Sequence, residues 1–296
     1  MTYRELYEAG RNILSGKDVP EAELDARLLL EHVCGTDRNA LLVHGERAVT
    51  IEEENTYLEL IERRGERIPL QHLTHSQEFM GLNFLVNQHV LIPRQDTEIL
   101  VEEVLRNSFS GMCVLDMCTG SGCILISILH YVLNAQGVGV DLSEEALSVA
   151  KENAERLLGA DSVLDGLPKF NGDGRYVTFV QSDLFQKVEG SYDLIVSNPP
   201  YIRSGELREL MPEVRDYEPI MALDGSEDGL KFYRAITEDC KAHLKKGGML
   251  FFEIGCDQAE AVSELLGQAG FIEVQVVKDY SGLDRVVYGT LAFGAR

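Results

Sequence analysis

From Met112 onward, short β-rich runs alternate with helix-like stretches, and no other feature limits the possible folds as much. The runs are MCVLDM, GVGVDL, YVTFVQ, YDLIVS and GMLFFEI, with SGCILISILHYVL, SEEALSVAKENAERLL and DGLKFYRAITEDCKAHL among the stretches between them. Such alternation predicts a parallel, doubly wound sheet with right-handed crossovers. The last two runs, FIEVQVVKD and DRVVYGTLAF, are separated by YSGL alone. A parallel crossover cannot be that brief, so the last strand must pair antiparallel. The expectation is an α/β fold with a mostly parallel seven-stranded sheet and an antiparallel last strand.

Residues 1–73 read as helices throughout, a small all-α N-terminal domain. EAELDARLLLEHVCG places Ala22, Leu24, Ala26, Leu28, Leu29 and Val33 near a 3.6-residue period, and Thr50 is a natural cap for TIEEENTYLELIERRGERIP. EFMGLNFLVNQHVLIPR alternates around Asn87-Gln88, which suggests a β-hairpin linker over 74–95. The larger domain then covers 96–296, beginning with a helix capped by Asp96 or Thr97 that carries Ile99, Leu100, Val104 and Leu105 on one stripe. The aperiodic GADSVLDGLPKFNGDGR is expected to be a mobile surface loop.

The N-terminus lacks the pattern of a signal peptide, and no apolar run approaches the roughly 20 residues of a membrane helix, so a cytoplasmic protein is expected. The six cysteines form no C-x-x-C pair and no zinc spacing, which points to reduced, mostly buried thiols and no metal. His72 and His75, a lone H-x-x-H, read as two surface imidazoles. A net charge of −22 argues against nucleic acid as the main partner, because neutralising phosphates supplies most of that affinity.

Chemistry gathers at the ends of the predicted strands. The first runs into Asp116-Met-Cys-Thr-Gly-Ser-Gly122 just before a helix, where Gly120 and Gly122 allow a tight turn and the helix start offers N–H donors. Leu125 stands where a dinucleotide loop would place its third glycine. Asp141, about twenty residues past the loop, suits both hydroxyls of a ribose, which NAD and S-adenosylmethionine share. Asp116 favours the second, since a carboxylate there suits an ammonium and repels a pyrophosphate. Asp183 ends the third strand where it could hold an adenine amino group, with Leu184 and Phe185 as an apolar wall. The fourth strand delivers Asn198-Pro199-Pro200-Tyr201 to the same edge. A planar nitrogen awaiting a methyl group needs acceptors for its N–H groups. Asn198 and the Pro199 carbonyl offer them, Pro199 and Pro200 stiffen the stretch, and Tyr201 adds a flat face.

DMCTGSG, VGVDLS, SDLF and IVSNPPY in this order resemble the class I, Rossmann-like methyltransferases that methylate planar nitrogens using S-adenosylmethionine. RIPLQHLTHSQEFMGLNFLVNQHVLIPRQDTE and YEPIMALDGSEDGLKFYRAI narrow the resemblance to the release-factor glutamine N5-methyltransferases, the PrmC/HemK family, over essentially the whole chain. That resemblance implies methylation of the glutamine side-chain amide in the Gly-Gly-Gln motif of peptide chain release factors, a step belonging to translation termination, with S-adenosylhomocysteine as the other product. It also implies that Cys118, Thr119, Gly120, Ser121 and Gly122, with Asp141, Leu184 and Asn198, contact the cofactor. Asn198, Pro199, Pro200 and Tyr201 would hold the glutamine, and the N-terminal helices would help dock the release factor. Cys118 stands where glycine is frequent, and Gln95 where proline is the commoner residue.

NPPY would serve the exocyclic amine of a flipped base equally well, so a DNA adenine or ribosomal RNA methyltransferase is the rival enzyme. About ninety-five residues follow Tyr201 and are consumed by the sheet, leaving no target-recognition domain. A non-catalytic binding module would not need both an intact glycine loop and an intact NPPY. A monomer is expected.

Overall fold

The first helices are started by their own side chains. α1 (Tyr3–Gly16) opens on Thr2, whose hydroxyl accepts from the Glu5 N–H while the Glu5 carboxylate accepts from the Thr2 N–H. α2 (Ala22–Cys34) closes on Gly35 in the left-handed conformation, and α3 (Arg38–Val43) is capped by Asp37. α4 (Ile51–Gly65) repeats the reciprocal cap with Thr50 and Glu53, and α5 (Leu70–Thr74) follows Pro69. The computed structural model describes residues 1–166 and 174–294. Its chain divides into two units, one of residues 1–76 with 211–217 and one of residues 77–210 with 218–296.

The helical unit closes over Leu6, Leu14, Ala26, Leu29, Leu30, Tyr57 and Ile61. Leu24, expected on the inward stripe of α2, is exposed, and Asp25 is buried instead. The reason is Arg64, itself buried, whose Nε donates to Asp25 at 2.7 Å. Arg64 Nη2 donates to Glu213 at 3.0 Å, and Arg67 grips the same carboxylate with bonds of 2.6 and 2.7 Å. His72 is buried, contrary to the surface expectation, while His75 is exposed as the left-handed cap of α5.

A hairpin follows in the chain, β1 (Ser76–Phe79) and β2 (Leu82–Leu85). Its turn is Met80-Gly81, not Asn87-Gln88. Both turn residues have positive φ, 52° and 70°, the two-residue geometry that matches strand twist and that Gly81 makes accessible. α6 (Gln95–Arg106) starts earlier than expected, with Arg94 at the cap position and no side-chain cap. Asp96 therefore lies in the first turn, where its charge favours the helix dipole.

β3 (Cys113–Met117), α7 (Cys123–Tyr131), β4 (Gln136–Asp141), α8 (Glu144–Leu158), β5 (Tyr176–Gln181) and β6 (Tyr192–Ser197) follow in turn. After the short α9 (Pro212–Arg215) come α10 (Lys231–Asp239), β7 (Leu244–Glu253), α11 (Ala259–Gln268), β8 (Phe271–Lys278) and β9 (Asp284–Leu291). Among the described residues, seven strands of this sheet order as β5-β4-β3-β6-β7-β9-β8. Of these β9 alone runs against its neighbours, pairing antiparallel with both β7 and β8. The period of two along the strands splits the core. Val114, Leu194, Val196 and Phe251 pack with α6 and α7, whereas Leu115, Ile195, Leu250 and Phe252 pack with α10 and α11. The expected loop at 159–175 falls in part, at 167–173, outside the described residues.

From β3 the chain winds outward through β4 to β5, then returns to β6 on the other side of β3. The carboxyl ends of β3 and β6 therefore lie side by side at the reversal of strand order, where open α/β sheets form a crevice.

Candidate active site

The crevice is a cavity of about 430 Å³ lined by residues of the second unit. Three loops build its floor. After β3 the chain takes positive φ at Cys118 (63°), Gly120 (54°) and Gly122 (78°), winding the loop tightly before α7. A Cβ at Gly122 would lie 2.8 Å from Ile126 Cδ1 and 3.2 Å from the Ala150 side chain, so only glycine lets α7 and α8 approach here. Cys118 through Ser121 all line the cavity, and Gly122 caps α7 just behind them.

Asp141 closes β4 on the cavity wall. Its Oδ2 accepts from the Gly120 N–H at 2.9 Å and its Oδ1 from the Ser143 N–H at 3.0 Å. Burial raises its pKa, opposed by those backbone bonds. Each oxygen keeps acceptor capacity toward the cavity, the arrangement that two adjacent hydroxyls require. Asp183 and Leu184 also line it, with Leu184 at φ 46° at the start of a 3₁₀ turn. Phe185 does not. It is buried and stacks on His243 at 4.9 Å, so the expected apolar wall is Leu184 without its neighbour.

Asp116 also leaves the wall. It is fully buried beneath the loop, where its Oδ2 accepts from the Thr119 hydroxyl at 2.6 Å. Burial pushes its carboxyl up to about 7, against the effect of that bond. One oxygen thus holds the loop, while Oδ1 has no hydrogen-bond partner.

The extended chain leaving β6 alternates sides. Asn198 and Pro200 therefore line the cavity, while the side chains of Pro199 and Tyr201 do not. The Tyr201 ring packs on the core, and its hydroxyl donates to Glu253 at 3.3 Å. Gln258 Nε2 takes the Tyr201 carbonyl at 3.1 Å and pins the exit of the motif. Asn198 Nδ2 donates to Thr97 Oγ1 at 3.4 Å, which leaves Oδ1 as the acceptor. The motif reading missed Thr97 and Glu253. Thr97 was read only as a possible helix cap, and Glu253 looked like the end of an apolar strand.

The upper wall comes from Leu91, Pro93 and Arg94 and from Pro219 to Ala222. Arg94 Nη2 joins these segments by donating to the buried Glu218 at 2.6 Å. No group of acidic, histidine or cysteine side chains that could hold a metal ion occurs among the described residues. No described helix is long and apolar enough to cross a membrane. The cysteines are unpaired thiols, with Cys113, Cys123 and Cys240 buried.

Comparison with known proteins matches residues 5–74 to the PrmC N-terminal domain and residues 94–212 to the methyltransferase small domain. A release factor glutamine methyltransferase of Geobacter sulfurreducens is 40% identical over 98% of this chain and 97% of that protein. One of Clostridium acetobutylicum is 41% identical over 89% of each. Among solved structures, a methyltransferase from Pyrococcus furiosus shares the fold at a TM-score of 0.50 and 18% identity, covering 72% of this chain and 90% of that one.

Proposed function

This chain belongs to the release factor glutamine methyltransferases, and from that premise we propose that its cavity methylates the side-chain amide nitrogen of the glutamine in the Gly-Gly-Gln motif of release factors. The observation that carries this reading is one wall holding both halves of such a site. Asp141 and the 118–122 loop form the nucleoside half, and Asn198 forms the acceptor half.

The residues present fit S-adenosylmethionine. Asp141 would take the ribose hydroxyls, the tight loop would lie along the methionine portion, and Asp183 with Leu184 would border the adenine. When bound, the cofactor supplies an electrophilic methyl carbon and leaves as S-adenosylhomocysteine. A neutral amide nitrogen is a poor nucleophile because its lone pair is delocalised into the carbonyl. Asn198 Oδ1 would accept an N–H of the glutamine, orient the nitrogen and favour its pyramidal form as the bond forms. Pro200 contributes a rigid wall beside it. The helical unit, in this reading, docks the release factor. The protein acts as a cytoplasmic monomer without nucleic acid, a reading that its charge of −22 supports.

Incubation with labelled S-adenosylmethionine and a cell extract tests the substrate class: label is expected in a release factor, and label in nucleic acid would overturn the reading. Asn198→Ala is expected to lower kcat by about 10²-fold or more while the fold and cofactor binding persist. Near-normal activity in that variant would remove the amide clamp.

A further inference from the structure

β6 and β7 pair in parallel with Ser197 opposite Phe252. The next residues, Asn198 and Glu253, therefore emerge together at the carboxyl edge of the sheet. Glu253 is buried, and its Oε1 accepts from the Tyr201 hydroxyl at 3.3 Å. Oε2 has no close partner, while the Thr97 hydroxyl makes a looser contact that favours the ionised carboxylate. Thr97 lies in the first turn of α6, and the neighbouring Asp96 meets Arg285 at 3.2 Å. The same Thr97 oxygen accepts from Asn198 Nδ2. A chain of polar groups thus leads from the cavity wall to a carboxyl that no step described above uses.

We propose that Glu253, acting through Thr97, is a positioning residue that decides which end of the Asn198 amide faces the substrate. The inference rests on the reading of this cavity as a glutamine-methylating site. Its physics is the direction of hydrogen bonds. An ionised carboxylate only accepts, and a threonine hydroxyl has one hydrogen to give. With that hydrogen turned to Glu253, Thr97 presents lone pairs to Asn198. Asn198 must answer with its NH₂, so Oδ1 is left for the glutamine N–H.

Protonated Glu253 can donate to Thr97, which then turns its hydrogen to Asn198. The amide flips and sets NH₂ against the substrate's own N–H. Burial pushes Glu253 up to about 7, opposed by Thr97, Arg285 and Tyr201, with Asp96 adding to the rise. Cys123, Tyr201 and Tyr233, which also face it, have their own pKa values raised by burial and stay protonated. Arg285 stays charged between Asp96 and Asp279. Raised above its ordinary value, Glu253 carries the accepting form above that pH and loses it below. A limb in the kcat profile should therefore rise through about 7.

The test measures methyl transfer to purified release factor by the full chain, with cofactor affinity by calorimetry and thermal unfolding as controls. Glu253→Gln keeps the volume but supplies an NH₂, so kcat is expected to fall about tenfold or more, with the cofactor Kd within about threefold and the rising limb gone. Thr97→Val should match that fall, whereas Thr97→Ser, which restores the hydroxyl, should keep kcat within about threefold of the parent. Unimpaired kcat in Glu253→Gln and Thr97→Val, equal loss in Thr97→Ser and Thr97→Val, or an unchanged limb in Glu253→Gln would each overturn the positioning role. If the parent labels no release factor, the functional reading falls and this inference with it. If the parent labels it and only the variants behave otherwise than stated, the reading stands without the inference.

Discussion

The glycine loop shows how differently two glycines in one motif can be constrained. Gly120 has positive φ but faces open space, so a methyl group there meets only the backbone's own preference. Gly122 has positive φ and Ile126 within 2.8 Å of the added carbon. Gly120→Ala is expected to cost ~1–2 kcal/mol from the left-handed conformation alone. Gly122→Ala adds the overpacking of α7 against α8, ~1–3 kcal/mol more, and should also shift the cavity loop. Urea unfolding and cofactor calorimetry on both variants check this: comparable losses would show that packing behind the loop does not matter. The need for glycine was readable in the motif, but which glycine carried the packing was not. Nor was the side to which Asp116 points. A short acid before a tight turn can face the ligand or the turn, and the 2.6 Å bond from Thr119 shows that one of its oxygens serves the turn.

At the level of elements, helix starts were readable where the signal is local. Thr50 and Glu53 lie three residues apart and act on each other. Asp25 illustrates the opposite case. Its burial depends on Arg64, 39 residues away, and the same guanidinium serves Glu213, 149 residues away. A period count over α2 contains neither partner, so it assigned the inward place to Leu24. Burial raises the pKa of Asp25, with Arg64 opposing that rise, so the carboxylate depends on its partner. Arg64→Met is therefore expected to cost ~3–5 kcal/mol, because two buried carboxylates lose a charge partner, although Arg67 still holds Glu213. Guanidinium unfolding of the full chain measures it. A loss below ~1 kcal/mol would place the cluster with exposed ion pairs, which contribute little.

Across the whole molecule, the strand directions were readable from connection lengths, with long helical crossovers between parallel strands and one link too short for anything but an antiparallel return, whereas the insertion of β9 between β7 and β8 was not. The seven strands and the reversed β9 follow from that rule. The membership of residues 211–217 in the helical unit does not, because the link from Glu213 to Arg64 and Arg67 leaves no local pattern. It bears on how a docking role for the helices should be tested. Deleting residues 1–73 also strips Glu213 of both guanidiniums and Tyr217 of its bond to the Glu66 carbonyl. The truncated chain should therefore carry Glu213→Gln, so that no carboxylate lacking its partners confuses the result. If the helices dock the release factor, kcat/KM for the intact factor falls by about tenfold or more, equivalent to about 1.4 kcal/mol of lost binding. Methylation of a short Gly-Gly-Gln peptide and the cofactor Kd should stay within about threefold, because neither needs the docking surface. Parallel losses on factor, peptide and cofactor would mean that the helices support the catalytic unit instead of recruiting its substrate.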